Sequence, residues 1–392
     1  MDSTRRNVGL LAACQAMLFT NNATLIAING LAGLALAPYA ALATLPVTCW
    51  VLGGALGTMP ASLHMKRVGR RRGLSMGTLW GVVGALIAAA AIWLQSFWLL
   101  CFATLVWGVY NAYGQYYRFA AADVSSPDFR STAISLVLAG GLVGGLLGPA
   151  LSRWTVDLAG PRFMGAYLAL IVFALATMVL LRFIRIPTPS ASEQAAAGRP
   201  LREIAAQPKF LIAVFSGAVG FGVMNFLMTS TPIAMQVCGH PYGDAAFVIS
   251  SHVVAMFAPS FVTGRLIRGF GVLPVMVCGA LLNLVCIGVA LAGIAVANFW
   301  WSMVLLGVGW NFLYIGGTTL LTETYRPEER AKAQGANDQA IFIMMAVSSF
   351  TSGMTVTTAG WERVNLMALP LIAAVAAALL WFALHQRVPK PA

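Results

Sequence analysis

Long apolar stretches separated by short polar ones fill most of the chain. A helix needs about 20 mostly apolar residues to cross the hydrocarbon core of a membrane. The chain has twelve such stretches, which we number as segments 1 to 12. They cover approximately residues 8–29, 38–63, 73–93, 97–118, 132–152, 163–184, 210–231, 244–263, 272–293, 299–321, 334–353 and 364–384. The pattern therefore predicts an all-α membrane protein with twelve transmembrane helices.

The longest polar interruption lies near the middle of the chain. Residues 187–208 are polar and charged, and prolines bound them at both ends. We interpret this stretch as a cytoplasmic linker. It would join an N-terminal six-helix bundle, residues 1–186, to a C-terminal six-helix bundle, residues 209–392.

The two predicted halves share a pattern of polar residues. Four positions recur with a shift of 200, so that Asn111, Asp123, Pro127 and Arg130 return as Asn311, Glu323, Pro327 and Arg330. A repeat of this kind predicts two halves of the same topology. The charged members lie at predicted inner helix ends, where we interpret them as inner-gate candidates and not as cargo ligands.

Composition supports a membrane location. The chain is 59% hydrophobic and only 9% charged, whereas soluble domains carry about 25% charged residues. With a cytoplasmic N-terminus, only three of the 24 Lys and Arg residues fall in outer loops, namely Arg153, Arg162 and Arg363. This asymmetry follows the positive-inside rule. It explains the net charge of +12 without a nucleic-acid partner.

The same asymmetry predicts a multi-pass membrane protein, in contact with lipid, with both termini cytoplasmic. The first apolar stretch is too long for a cleavable signal peptide and lacks a cleavage site. We therefore interpret it as a membrane span.

Two short motifs carry candidate chemistry. Segment 7 contains Met224 and Met228, and segment 8 contains His252 and Met256, each pair four residues apart. Residues four apart share one face of a helix. Thioether and imidazole groups suit copper. Methionine also fills gaps in apolar cores, but an ionisable residue inside a span, such as His252, indicates function.

We therefore predict that these four residues are transient metal ligands along a copper path. At a rise of about 1.5 Å per residue from the inner ends, Met224 and His252 should lie at similar depth. Met235 is a weaker candidate, for which packing is the simpler interpretation. Cys49 and Cys238 are further thiol participants, although an isolated buried cysteine commonly only packs.

The loop between segments 2 and 3 resembles a family signature. It reads Ser62-Leu-His-Met-Lys66-Arg67-Val-Gly69-Arg70-Arg71. Over its whole length the chain resembles a major facilitator superfamily transporter, in which this loop reads approximately G-x-L-A-D-R-x-G-R-R. The basic half is present, and Lys66 replaces the acidic residue.

Within that superfamily, the two paired motifs are similar to those of the CcoA-like copper importers, which supply copper for the cbb3-type cytochrome oxidase. The resemblance implies inward copper transport by alternating access across the bacterial cytoplasmic (inner) membrane. It also implies copper as cargo with no cofactor, and a downstream copper chaperone as a partner.

Two alternatives remain open. Segment 4 carries a polar aromatic face that would line a cavity for a small organic solute, with His252 as the proton site; its residues are Tyr110, Tyr113, Tyr116, Tyr117 and Arg118. The chain would otherwise be a non-transporting copper-binding membrane protein. An enzyme is not expected, because no nucleophile–base or carboxylate pair occurs at membrane depth.

Polar residues inside the segments carry two further expectations. No Asp or Glu stands near the middle of a segment, so the carboxylate relay of many proton-driven carriers is not expected. Five asparagines lie at membrane depth and should form hydrogen bonds between helices; they are Asn21, Asn22, Asn29, Asn111 and Asn311.

Overall fold

A computed structural model describes residues 3–39, 42–186 and 198–385. Within these ranges the chain forms helices and turns, with no strand. Ten described helices are long and apolar enough to cross a membrane, and one bent pair forms an eleventh span. Leu45–Val68, a helix of 24 residues, completes the set of twelve. The all-α, twelve-helix prediction is thus confirmed.

The helices follow the predicted segments closely. They are α1 Ser3–Leu36, α2 Leu45–Val68, α3 Arg70–Trp93, α4 Phe97–Gly114, α5 Tyr117–Asp123, α6 Pro127–Thr155, α7 Met164–Arg182, α8 Leu201–Ala205, α9 Pro208–Val237, α10 Tyr242–Phe257, α11 Ser260–Phe270, α12 Val272–Leu291, α13 Val296–Leu321 and α14 Arg330–His385. A 3₁₀ turn, Pro327–Glu329, precedes α14, which holds the last two spans and kinks at Gly360. The first half of the predicted linker, residues 187–197, lies outside the described residues. The boundaries of the two halves stay a prediction.

Two segments are broken helices. Segment 4 is interrupted at Gln115 and Tyr116, between α4 and α5. Segment 8 is bent by 41° between α10 and α11. Pro259 lies at this bend, and a proline inside a helix removes one backbone hydrogen bond and clashes with the preceding turn.

One compact unit consists of Met1–Ser126, Leu136–Ala197 and Gln334–Phe342. Within it, the glycines of α6 pack directly on α1. A Cβ added at Gly144 would overlap the backbone of Ala16 and Thr20, and the Thr24 hydroxyl donates to the carbonyl of Gly148 at 3.0 Å. Small residues therefore bring these two helices into backbone contact.

The second compact unit consists of Pro127–Ser135, Gly198–Ala333 and Ile343–Ala392. Its centre is α13, against which α9, α10 and α12 pack. The first turns of α6 lie on α11, where Ser131 Oγ donates to the carbonyl of Gly264 at 3.1 Å. The amide of Gly264 in turn donates to Ser135 Oγ at 3.1 Å.

Two interhelical loops, one in each unit, have the same backbone turn. Gly69 joins α2 to α3 with φ 86°, and Gly271 joins α11 to α12 with φ 90°. Glycine is the residue that adopts positive φ without strain. The loop after α2 and the loop after α11 therefore turn with the same positive-φ glycine.

Candidate functional site

His252 is fixed by one hydrogen bond on α10. Its ring is fully buried, and Nδ1 lies 2.7 Å from the carbonyl oxygen of Met303 on α13. A carbonyl only accepts hydrogen bonds, so Nδ1 carries the proton and Nε2 keeps its lone pair. Nε2 is buried with no hydrogen-bond partner in the described chain. This nitrogen can bind a metal ion or accept a hydrogen bond from a solute.

Of the predicted methionines, Met224 and Met228 lie on α9, and Met256 lies on α10, the helix that carries His252. Met224 and Met256 are buried, and Met228 is half-buried. The residue of α9 that bonds Met303, the partner of His252, is Thr231. Its hydroxyl donates to the Met303 sulfur at 3.3 Å.

These contacts place Met224 about two turns inward of Thr231 along α9. The prediction that Met224 and His252 lie at similar depth is therefore wrong, because His252 lies level with Thr231. The depth of His252 was predicted from an inner helix end near Arg265, whereas α11 runs to Phe270. The distance along the helix from the inner end to His252 is therefore longer than predicted.

Aromatic rings form a cluster two turns further along α13 from Met303. Trp310 and Tyr314 stack with their ring centroids 4.9 Å apart. Phe221 of α9 meets both rings edge-on at 5.4 Å, and Phe257 of α10 meets Trp310 at 5.8 Å. Phe221 is half-buried, and the Trp310 indole N–H has no partner among the described residues.

A chain of hydrogen-bonded polar side chains crosses the first unit. Asn22 Nδ2 donates to Asn111 Oδ1 at 2.8 Å, and Gln115 Nε2 donates to the same oxygen at 3.4 Å. Arg118 Nη1 donates to Gln115 Oε1 at 3.3 Å, and Arg118 Nη2 forms an ion pair with Asp338. The chain joins α1, α4, α5 and α14.

Asp338 is the functional candidate that sequence reasoning missed. It stands near the start of segment 11, is 2% exposed, and pairs with Arg118, which is 1% exposed. Asn337 Nδ2 donates to the same carboxylate at 2.8 Å. The expectation that no carboxylate relay is available therefore overlooked a buried acid close to the end of a segment. The available signal was a pair of opposite charges inside two apolar segments, each costly without a partner.

The asparagine prediction is confirmed. Asn311, the repeat of Asn111, donates to the Met256 carbonyl at 2.7 Å and to Ser260 Oγ at 2.6 Å. Asn21 donates to the Leu170 carbonyl at 3.3 Å. Asn29 accepts a hydrogen bond from the hydroxyl of Tyr167 at 2.7 Å, and Asn22 bonds Asn111 as described above.

The tyrosines of segment 4 are packed instead of forming one continuous face, because the helix is interrupted at Gln115. The four rings at 110, 113, 116 and 117 are at most 7% exposed. The Tyr116 hydroxyl donates to the Thr58 carbonyl at 3.0 Å, and the Tyr113 hydroxyl bonds His64 Nδ1 at 2.8 Å. The hydroxyls of Tyr113 and Tyr116 therefore tie α4 and the start of α5 to α2.

The acidic gate candidates are both paired. Asp123 accepts from Arg70 Nε at 3.1 Å in a mostly buried pair. Glu323 accepts from Lys209 Nζ at 2.7 Å, with both side chains more than a third exposed.

The basic gate candidates are Arg130 and Arg330. Arg130 is half-buried, and Arg330 Nε donates to the Pro327 carbonyl at 3.0 Å. Glu329, which the sequence did not single out, is fully buried and takes two 2.7 Å bonds from Arg199. The hydrogen bond to Glu329 raises the pKa of Arg199 above its ordinary value, so this guanidinium stays charged.

The two candidate thiols fall in different units. Cys49 lies near the start of α2 and is half-buried. Cys238 ends α9 and is half-buried. Within the described ranges, His, Cys, Asp and Glu form no group of three or more able to hold a metal ion. The predicted set, built on methionine, is of a different kind and stays a prediction.

The helices and their repeat define a multi-pass membrane carrier. The model of the Major Facilitator Superfamily matches residues 9–348 and 241–392, so the chain belongs to this superfamily. The fold is similar to that of FucP in its outward conformation, with a TM-score of 0.77 at 14% identity over 97% of this chain and 99% of that one. It is also similar to the human organic anion transporter MFSD10, with a TM-score of 0.78 at 12% identity over 97% and 100% of the two chains.

Relatives by sequence are more specific. The riboflavin transporter RfnT of Brucella anthropi is 41% identical over 96% of each chain. The uncharacterized MFS-type transporter YddS of Bacillus subtilis is 29% identical over 87% of this chain and 82% of that one. These comparisons confirm the predicted superfamily and do not confirm the narrower resemblance to copper importers.

Proposed function

We propose that the protein transports a small organic solute across the membrane, and that riboflavin is the first solute to test. The relation to RfnT carries this proposal, because 41% identity extends over 96% of both chains. The fold alone would not carry it, since one fold serves many cargoes.

The chemistry of the second unit supports this proposal. Riboflavin combines a planar ring system, which bears carbonyl oxygens and an imide N–H, with a chain of hydroxyl groups. Phe221 offers a partly exposed ring beside the aromatic pair of Trp310 and Tyr314, and an offset or edge-on aromatic contact contributes about 0.5–1.5 kcal/mol. The Trp310 N–H and the His252 Nε2 add one unused donor and one unused acceptor.

Uptake in a bacterial strain that neither makes riboflavin nor imports it tests the proposal. Cells expressing the protein should grow at low external riboflavin and accumulate the radiolabelled vitamin. Phe221→Ala should raise the KM for uptake several-fold. Phe215→Ala removes an exposed phenylalanine from the same helix and should leave the KM unchanged. Uptake no greater than that of empty-vector cells, at normal membrane levels, would contradict the proposal.

Copper import is the second candidate function. The hydrogen bonding of the His252 ring favours it. A ring whose Nδ1 is tied to a carbonyl and whose Nε2 is free has the arrangement common in metal-ligating histidines. Met224, Met228 and Met256 supply soft donors on the same two helices. If copper is the cargo, the sequence resemblance implies that it moves inward and is delivered to a cytochrome oxidase.

Radioactive copper uptake in cells lacking their own importer tests the second candidate. If copper is the cargo, His252→Ala and Met256→Leu should lose uptake. Met276→Leu, which replaces a fully buried methionine on α12, should retain it. Riboflavin uptake without copper uptake by the same cells would eliminate copper as cargo.

A further inference from the structure

The polar chain of the first unit has a fixed direction. A guanidinium only donates hydrogen bonds, so Gln115 turns its carbonyl oxygen towards Arg118, at 3.3 Å. The amide nitrogen of Gln115 therefore faces Asn111, whose side-chain oxygen accepts from it at 3.4 Å. Asp338, the acidic partner of Arg118, accepts from the other terminal nitrogen, Nη2.

This direction determines how Asn22 is oriented. The Asn111 oxygen also accepts from Asn22 Nδ2 at 2.8 Å. Asn22 must present its nitrogen there, because two carbonyl oxygens cannot bond each other. The side-chain oxygen of Asn22, Oδ1, is the last atom of this series of hydrogen bonds. It is buried and has no partner in the described ranges. Asn22 is 6% exposed.

An amide oxygen held in this way selects one kind of ligand. It accepts an N–H or O–H donor, and an unmet buried acceptor carries a desolvation cost. Hard oxygen is a poor ligand for Cu(I), which prefers sulfur and imidazole. The position is therefore suited to an organic molecule with polar hydrogens and not to a soft cation.

We propose that Asn22 Oδ1 is a solute-binding acceptor, which receives a hydrogen bond from an imide N–H or a hydroxyl of the transported molecule. This inference rests on the proposed transport of an organic solute. It assigns the specificity for a polar hydrogen to α1, in a unit that contains none of the Met and His residues predicted from the motifs.

Competition against radiolabelled riboflavin uptake tests the acceptor. One competitor is riboflavin methylated on the imide nitrogen, which lacks the ring donor. The other is lumiflavin, which lacks the hydroxyl chain. In wild type, the analogue without the donor that Asn22 binds should compete about tenfold less well, which corresponds to about 1.4 kcal/mol. A deficit for the methylated analogue assigns the ring N–H, and a deficit for lumiflavin assigns a hydroxyl.

Asn22→Leu should raise the KM for riboflavin about tenfold and abolish that discrimination. Asn29→Leu is the matched control, because it removes a buried amide from the same helix, bonded instead to Tyr167, and should retain discrimination. If Asn22→Leu still discriminates between the analogues as wild type does, the inference is overturned. The Asn22 amide would then only pack or bind a water molecule. Equal competition by both analogues in wild type would also overturn it, even if Asn22→Leu fails to accumulate. No riboflavin uptake by wild type would overturn the proposed function itself, together with this acceptor.

Discussion

Neutralising Asp338 tests how much the buried ion pair contributes to stability. Asp338→Asn preserves the shape of the side chain and removes its charge. The Arg118 guanidinium, 1% exposed, then keeps its bonds to Gln115 but loses its counter-charge. Removing one member of a buried pair costs about 3–5 kcal/mol, mostly because the other charge stays buried and uncompensated.

The expected change in unfolding temperature follows from this free energy. Each kcal/mol lowers the midpoint by about 2–4 °C in a domain of roughly 150–250 residues, so Asp338→Asn should unfold about 6–20 °C lower. Arg118→Met should have a similar effect. The double variant Arg118→Met/Asp338→Leu should recover much of the loss, because apolar residues of similar volume replace a buried pair at little net cost.

Thermal unfolding of the purified protein in detergent, followed by tryptophan fluorescence, measures these midpoints. Glu323→Gln is the control, because its pair with Lys209 is exposed and such pairs contribute about 0–1 kcal/mol. The reasoning fails if Asp338→Asn unfolds within about 2 °C of the control. It also fails if the double variant is no more stable than the single variants.

Two further predictions use the same unfolding assay. Gly144→Ala should destabilise the protein by about 1–3 kcal/mol, because the added methyl overlaps the backbone of α1. Gly9→Ala, where the space is open, should be neutral or stabilising, and equal midpoints for the two variants would contradict the close packing. Arg199→Ala should lower the midpoint clearly more than Arg202→Ala, because it strips two hydrogen bonds from the fully buried Glu329, whereas Arg202 is exposed. Similar midpoints for these two arginine variants would show that Glu329 needs no such partner.

The positions of the spans could be predicted because the bilayer imposes a length and an apolar composition on each helix. The apolar stretches coincide with the helices, and Asn311 forms the interhelical bonds that its depth demands. These features depend on local sequence and on the solvent, so no knowledge of distant contacts was needed.

The partners across the fold could not be predicted in the same way. Arg118 and Asp338 are 220 positions apart, and nothing local to either residue names the other. The break at Gln115 was also missed, because the surrounding residues are apolar and aromatic enough to continue a helix. The fixed orientation of Asn22 depends on a chain of four further residues, which only the folded structure brings together.

Solute uptake by the purified protein tests the central claim most directly. Vesicles reconstituted with the wild-type protein alone should accumulate radiolabelled riboflavin faster than empty vesicles. Unlabelled riboflavin should suppress this accumulation, and excess copper should leave it unchanged. Vesicles that take up radioactive copper but no riboflavin, with uptake abolished by His252→Ala, would contradict the account and establish the metal path instead.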